Sequence, residues 1–333
     1  MDMGRRMNGL SDLPDNLLER KKWWQGWAGL LNVSLVATFV LFFLLYIIDQ
    51  RHHLAELFSL SPASLAGLFL LAWGVIGTFG LINFIVFRRI NCPVTLSEGM
   101  TLAVVNTLGN LLPFSGGLIG KGIYLKQRHQ LSYQSYLSAT VALYIIFIVA
   151  NGLAGSLTLA YLGITDSWPA WYLFVGFTGL VFPVVLFFLP ITRLVPRRLR
   201  KIVNNAHSGW GVISDSFSTI TVIIVVRLAG TFLSAGRLWL LFHAFSQTIG
   251  FSHCIVFVSG AILTRLVSVT PGGLGIREVI VGGLSAALGF PFGMAVIVTA
   301  ADRLFEVLGA GIMALLFWPR RKVDTPDEKF RLS

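Results

Sequence analysis

Polar and apolar positions in this chain alternate on the scale of whole segments rather than of helical turns. About 27 mostly polar and basic residues come first, then an apolar run from about Ala28 to Ile48, with Trp23, Trp24 and Trp27 placed at its start like an interfacial aromatic belt. Further apolar runs cover about Leu65–Phe87, Leu137–Gly163, Trp171–Leu189, Ile213–Phe245 and Phe292–Trp318. Each approaches or exceeds the ~20 residues that take a helix across the bilayer's hydrocarbon core, so about six full spans are predicted. Two other apolar stretches, about Thr95–Gly122 and Phe251–Gly289, are interrupted in the middle. The interruptions read Leu112-Pro113-Phe114-Ser115-Gly116-Gly117 and Thr270-Pro271-Gly272-Gly273-Leu274-Gly275. Each stretch is predicted as a re-entrant hairpin, and two crossing half-spans would return the chain to the same side just as well.

Composition leaves no room for a water-soluble enzyme. Of the 333 residues, 55% are hydrophobic and 12% charged, and mean hydropathy is +0.76, against roughly 25% charged residues in soluble domains. The prediction is an all-α polytopic membrane protein. The first apolar run is of spanning length and reads as a signal anchor rather than a cleaved leader. Cys92 and Cys254 lie far apart, so no disulfide framework is indicated.

Net charge is +11, and its placement matters more than its size. Arg5, Arg6, Arg20, Lys21 and Lys22 precede the first span, Arg88 and Arg89 follow the second, Arg193, Arg197, Arg198, Arg200 and Lys201 follow the fourth, and Arg320, Arg321 and Lys322 follow the last. The opposite connections hold little beyond Arg51. The positive-inside rule then puts both termini in the cytoplasm of a cell whose inner membrane holds the chain. Contact with anionic lipid, and not with nucleic acid, accounts for the basic excess. Residues 1–27 and 319–333 are expected as cytoplasmic segments flanking one transmembrane domain, 28–318.

Sliding the sequence by 156 residues places Gly116-Gly117-Leu118 on Gly272-Gly273-Leu274, Lys121 on Arg277 and Ala154-Gly155 on Ala310-Gly311. Chance is the competing explanation, because glycine is abundant at 34 residues. The span after the first break runs outward and the span after the second runs inward. The expectation is therefore an inverted repeat, about 95–163 against 251–318. Paired discontinuous helices in inverted halves point to a transporter's midplane site.

Irregular backbone at membrane depth is tolerated only against protein or a water-filled cavity. A half-helix that starts after such a break aims backbone N–H groups and a positive dipole end at whatever occupies it. Pro113, Gly116, Gly117 and Lys121 in the first half, with Pro271, Gly272, Gly273, Gly275 and Arg277 in the second, therefore form a candidate site for a phosphate or another anion. The alternative is a kinked, packed helix whose cation snorkels to the interface. Ser115–Gly122 does not satisfy the nucleotide-binding pattern, which needs Gly, four residues, then Gly-Lys-Ser/Thr.

Ionisable groups inside spans are costly and are functional hypotheses by default. Asp302, Arg303 and Glu306 lie in the last span, and helical spacing puts Asp302 and Glu306 on one face and lets Arg303 pair with Glu306. Asp215, Arg227, Arg237, Arg265 and Glu278 join the set. A mutually neutralising structural network is the alternative to a functional one, with Asp302 and Glu306 as candidate proton or cation carriers on the functional reading. The scattered histidines have no ligand spacing, so neither a metal nor a cofactor is expected. No hydrolase elbow or zinc-protease motif occurs.

The segments Asn110-Leu111-Leu112-Pro113 to Lys121 and Thr270-Pro271-Gly272-Gly273-Leu274-Gly275-Ile276-Arg277-Glu278 resemble the lysylphosphatidylglycerol synthase transmembrane-region family. That family includes the flippase portion of the bacterial multiple peptide resistance factor and many stand-alone membrane proteins. The resemblance covers about Leu65 to Trp318 and implies handling of lipids with phosphate-containing headgroups. Such handling would be by flipping, or by supporting synthesis or transport of a lipid-linked glycan or hopanoid, with lipid-biosynthetic enzymes as partners. Members often carry Gly-Glu after the first loop, whereas this chain has Gly120-Lys121, which does not suit a cationic lysyl headgroup. With about 15 residues after the last span, synthesis of a lysyl lipid by this chain is not expected. Translocation of a phosphate-bearing lipid is the expected function, with a membrane transferase using a lipid-phosphate donor, or a non-transporting scaffold, as alternatives.

Overall fold

The computed structural model describes residues 60–111, 116–165, 170–188, 217–261 and 275–317. All of them lie within the larger of two units, His52–Ser333. The predicted first span, both cytoplasmic segments and the loop residues Pro113, Pro271, Gly272 and Gly273 fall outside the described residues.

Among the described residues there are nine helices and no strand. They are α1 (Pro62–Arg89), α2 (Leu96–Gly109), α3 (Gly116–His129), α4 (Tyr133–Thr165), α5 (Trp171–Phe188), α6 (Phe217–Ala244), α7 (Phe251–Ala261), α8 (Ile276–Ala287) and α9 (Phe292–Phe317). Three of them, α1, α4 and α6, are long and apolar enough to cross a membrane by length and composition. Helix α9 has 26 residues but carries Asp302, Arg303 and Glu306 in its middle. The interrupted stretch 95–122 is a pair of helices, α2 and α3.

Helix starts follow local chemistry. Pro62 opens α1 behind Ser61, whose hydroxyl accepts from the Ser64 amide at 3.1 Å. At the start of α2, Thr95 and Glu98 exchange hydrogen bonds as a full capping box. Helix α1 ends at Arg88 and Arg89, cations that suit the negative end of its dipole.

Helix α6 is central, packed against α1, α4, α7 and α9. Its Ile223 closes an apolar cluster with Ile82 and Val86 of α1 and Ala139, Ala142, Leu143, Ile146 and Phe147 of α4. A second cluster joins Ile76 of α1, Ala103 and Val104 of α2, and Ala310 and Met313 of α9. Small residues bring backbones together, as at many membrane helix interfaces. A Cβ on Gly99 would stand 2.5 Å from the Gly80 carbonyl oxygen, and one on Gly109 2.6 Å from Gly117 Cα. Side chains such as Leu157, Ile164, Leu315 and Leu70 are exposed, as expected of helices facing lipid.

Shifted by 156 residues, the bounds 62–89, 96–109, 116–129 and 133–165 become 218–245, 252–265, 272–285 and 289–321, close to those of α6, α7, α8 and α9. Neighbours correspond as well. Exchanging α1–α4 with α6–α9 in order turns the α1–α2, α2–α3 and α3–α4 contacts into α6–α7, α7–α8 and α8–α9. The same exchange turns α2–α9 into α7–α4, turns α1–α9 into α6–α4, and leaves α1–α6 unchanged.

Candidate functional site

Among the described residues, a buried polar network joins α6, α8 and α9. Asp302 accepts from Arg237 Nε at 2.5 Å and Nη2 at 3.1 Å, and from Arg277 Nη2 at 2.7 Å. Glu306, one turn further along α9, accepts from Arg277 Nη1 at 3.0 Å and lies 3.6 Å from Arg237 Nη2. Arg303 donates to Glu278 at 3.2 Å. The other oxygen of Glu278 accepts the Gly275 amide at 2.6 Å, so the first turn of α8 is capped by its own carboxylate. Gly275 makes that turn at φ +78°, a conformation that favours glycine.

Three guanidinium groups thus face three carboxylates. A charge in an apolar interior is stable only when paired and hydrogen-bonded, and this network meets both conditions. It is also graded. Arg237, Asp302 and Glu278 have side chains 1%, 2% and 1% exposed, whereas Arg277, Glu306 and Arg303 are 17%, 15% and 13% exposed. Arg277 and Glu306 are therefore the accessible edge of a cluster anchored by Arg237 and Asp302. One Arg237 donor, Nη1, is buried and makes no hydrogen bond among the described residues.

Lys121 belongs to a second group, formed where α3 meets α1. Its ammonium donates to Asn83 Oδ1 at 3.0 Å and stands 5.9 Å from the centre of the Phe87 ring. Asn83 in turn donates to the Gly99 carbonyl at 3.3 Å, tying α1, α2 and α3 together. A third group surrounds buried Arg227 on α6, held between the rings of Phe79 and Phe147 at 5.3 and 4.9 Å. Asn151, fully buried on α4, accepts from Thr231 at 3.0 Å and from Arg227 at 3.5 Å.

A fourth group lies where α2 begins and α3 ends. Glu98 Oε1 is 3.6 Å from Arg128 Nε and 3.4 Å from His129 Nε2, and Tyr124 donates to it at 3.4 Å. Burial pushes the Glu98 carboxyl up, but the Thr95 amide, the His129 ring, the Thr95 hydroxyl and the Arg128 charge outweigh burial and leave it below the usual carboxylate value. Burial and then the Glu98 charge raise the Cys92 thiol, and the same two causes lead in raising the Tyr124 phenol.

The structure brings Arg277, Glu278, Asp302, Arg303 and Glu306 into one network, with Gly275 bonded to it, and places Gly116, Gly117 and Lys121 on α3. Gly117 is packed against Asn106 of α2 and Asn110 just past its end. Arg277 does not present an uncompensated charge, because Asp302 and Glu306 balance it. Arg303, beside Glu306 on α9, also donates across the helix interface to Glu278. Arg237 emerges as the buried hub, and Asn83 and Asn151 as polar ties; the signal for each was a polar residue inside an apolar span. Among the described residues no group of three or more His, Cys, Asp or Glu is placed to hold a metal ion.

Comparison with known proteins adds two findings. The family model for the lysylphosphatidylglycerol synthase TM region matches residues 29–314. A UPF0104 membrane protein of Methanothermobacter thermautotrophicus is 33% identical over 92 residues, a segment spanning 28% of this chain and 28% of that relative.

Proposed function

The chain belongs to the lysylphosphatidylglycerol synthase transmembrane-region family, and from that premise we propose that it moves a lipid with a phosphate-containing headgroup between the leaflets of the cell's inner membrane. The observation that carries this reading is the accessible Arg277–Glu306 edge of an otherwise buried charge network at the start of α8. Arg277 presents two donors in a planar fork, the geometry that suits phosphate oxygens. A headgroup phosphate takes the position of the Glu306 carboxylate, while Asp302, held by Arg237 as well, keeps Arg277 in place. The acyl or prenyl tails stay in the bilayer.

The exchange pattern of helix contacts supports two related halves, which this reading takes as an inverted repeat within six full spans and with both termini in the cytoplasm. On this reading the Gly116–Lys121 segment serves the headgroup in one state and the Gly275–Arg277 segment in the other. Lys121 donates to Asn83, the side chain that ties α1 to α2. Enzymes of lipid biosynthesis are the natural suppliers of the substrate, and the chain itself makes no covalent change to it.

The test uses the purified protein in phosphatidylcholine vesicles containing a tail-labelled fluorescent phosphatidylglycerol, with a membrane-impermeant quencher reporting leaflet residence. The wild type should speed transbilayer movement, and Arg277→Ala and Lys121→Ala should each lower the rate at least tenfold. Equal rates for all three proteins would refute the mechanism. Mass spectrometry of the recovered lipids should show the input species alone; a new covalent product would favour a transferase.

A further inference from the structure

The charge balance of the network constrains what can travel with the lipid. Arg237, Arg277 and Arg303 face Glu278, Asp302 and Glu306, so the cluster is neutral before any ligand arrives. A phosphodiester headgroup brings one negative charge, and an unbalanced charge among apolar helices is strongly unfavourable. The network can rid itself of that charge at one place. Asp302 is fixed by Arg237 and Arg277 together, and Glu278 is held by Arg303 and the Gly275 amide. Glu306 is the most exposed of the three carboxylates and shares the same Arg277 fork that a phosphate would occupy. Displaced from Arg277, Glu306 is left beside Arg237 at 3.6 Å and Arg303, cations already paired with Asp302 and Glu278, and a carboxylate so placed in apolar surroundings accepts a proton rather than remain charged.

Resting on the function proposed above, we infer that the lipid anion travels with one proton, taken from water by Glu306 as the phosphate replaces it on Arg277, so that transport is electroneutral and responds to a pH difference. On release of the phosphate, Glu306 returns its proton to water on the arrival side and pairs with Arg277 again.

The groups around Glu306 are consistent with a single titrating site. Arg237 comes from α6, Arg277 and Glu278 from α8, and Asp302 and Arg303 from α9 itself. Among the described residues, α1 contributes only Arg88 and Arg89 as charged groups, roughly 22 Å along the helix from Trp73, whose indole donates to the Gly309 carbonyl at 3.2 Å. Helix α2 contributes only Glu98, which is occupied by Arg128, His129 and Tyr124.

The same vesicles test this with a pH difference imposed across the membrane and the voltage clamped by potassium and valinomycin. At equilibrium the wild type should enrich the labelled phosphatidylglycerol in the leaflet facing the alkaline side, about tenfold per unit of pH difference. Changing the clamped voltage should leave that ratio unaltered. Glu306→Gln, which cannot release a proton, should lose the pH response and distribute the lipid according to voltage instead. A wild type that moves lipid but ignores pH and follows voltage overturns the coupling and leaves the translocase reading standing, as does a pH response retained in Glu306→Gln. A wild type that moves no lipid overturns both.

Discussion

Asp302→Asn is the most informative single change in this protein. Asp302 accepts from two guanidinium groups, Arg237 at 2.5 and 3.1 Å and Arg277 at 2.7 Å, and both it and Arg237 are almost wholly buried. The amide keeps the shape but removes the charge, leaving Arg237 with the distant Glu306 contact at 3.6 Å. Removing one partner of a buried ion pair costs about 3–5 kcal/mol. At about 2 °C per kcal/mol for a large chain, the unfolding midpoint in detergent should fall by roughly 6–10 °C, read from tryptophan fluorescence. The paired change Arg237→Met with Asp302→Leu removes equal and opposite charges, leaves Arg277 with Glu306, and should recover most of that loss, since apolar replacement of a buried pair is often neutral. If the double variant is as unstable as the two single changes added together, the two groups are not energetically coupled and the network is not what holds these helices together.

Three other outcomes follow from the packing and the charges. Gly99→Ala places a Cβ 2.5 Å from the Gly80 carbonyl oxygen and should cost about 1–3 kcal/mol, whereas Gly311→Ala, with nothing within 4 Å, should be neutral or slightly stabilising in the same melt. Glu98 has its carboxyl held below the usual value, so its contribution to stability is complete above the ordinary glutamate range near pH 4.3 and is lost as pH falls through the lower folded-state value; Glu98→Gln should flatten the acid limb of the melt profile. Asn83→Leu strips Lys121 of the acceptor at 3.0 Å and the Gly99 carbonyl of its donor; hydrogen exchange should then rise in α3 and in the first turns of α2, and unchanged exchange there would deny the tie.

The helices were legible because each apolar run is long and continuous: 65–87, 137–163 and 171–189 fall on α1, α4 and α5 within a few residues. The α2–α3 interruption was legible because a proline in an apolar run removes a helical hydrogen bond and clashes with the preceding turn, whereas Gly116 and Gly117, read as part of the break, open α3. The members of the charge network on α8 and α9 stood out as ionisable residues in apolar surroundings. Their pairing did not. Spacing along α9 sets Arg303 beside Glu306, and the Glu306 charge does act on Arg303, but the further bonds from Arg303 to Glu278 and from Arg277 to Glu306 were not readable; such cross-helix choices depend on helix rotation, which a single span's sequence does not encode. Arg237 was visible as a buried cation, yet its partner Asp302 is 65 residues away. Asn83 and Asn151 carry no charge, and a lone amide in a span gives only a weak sequence signal.

Translocation by this chain requires Arg277 to receive a phosphate at the place where Glu306 now sits. Solid-state NMR dephasing of arginine side-chain carbons by phosphorus, on protein in phosphatidylglycerol bilayers, reads that contact without any transport step. Phosphorus should dephase one arginine signal beyond the surface background, and that effect should be absent in Arg277→Lys. Identical dephasing in the two proteins would contradict that contact.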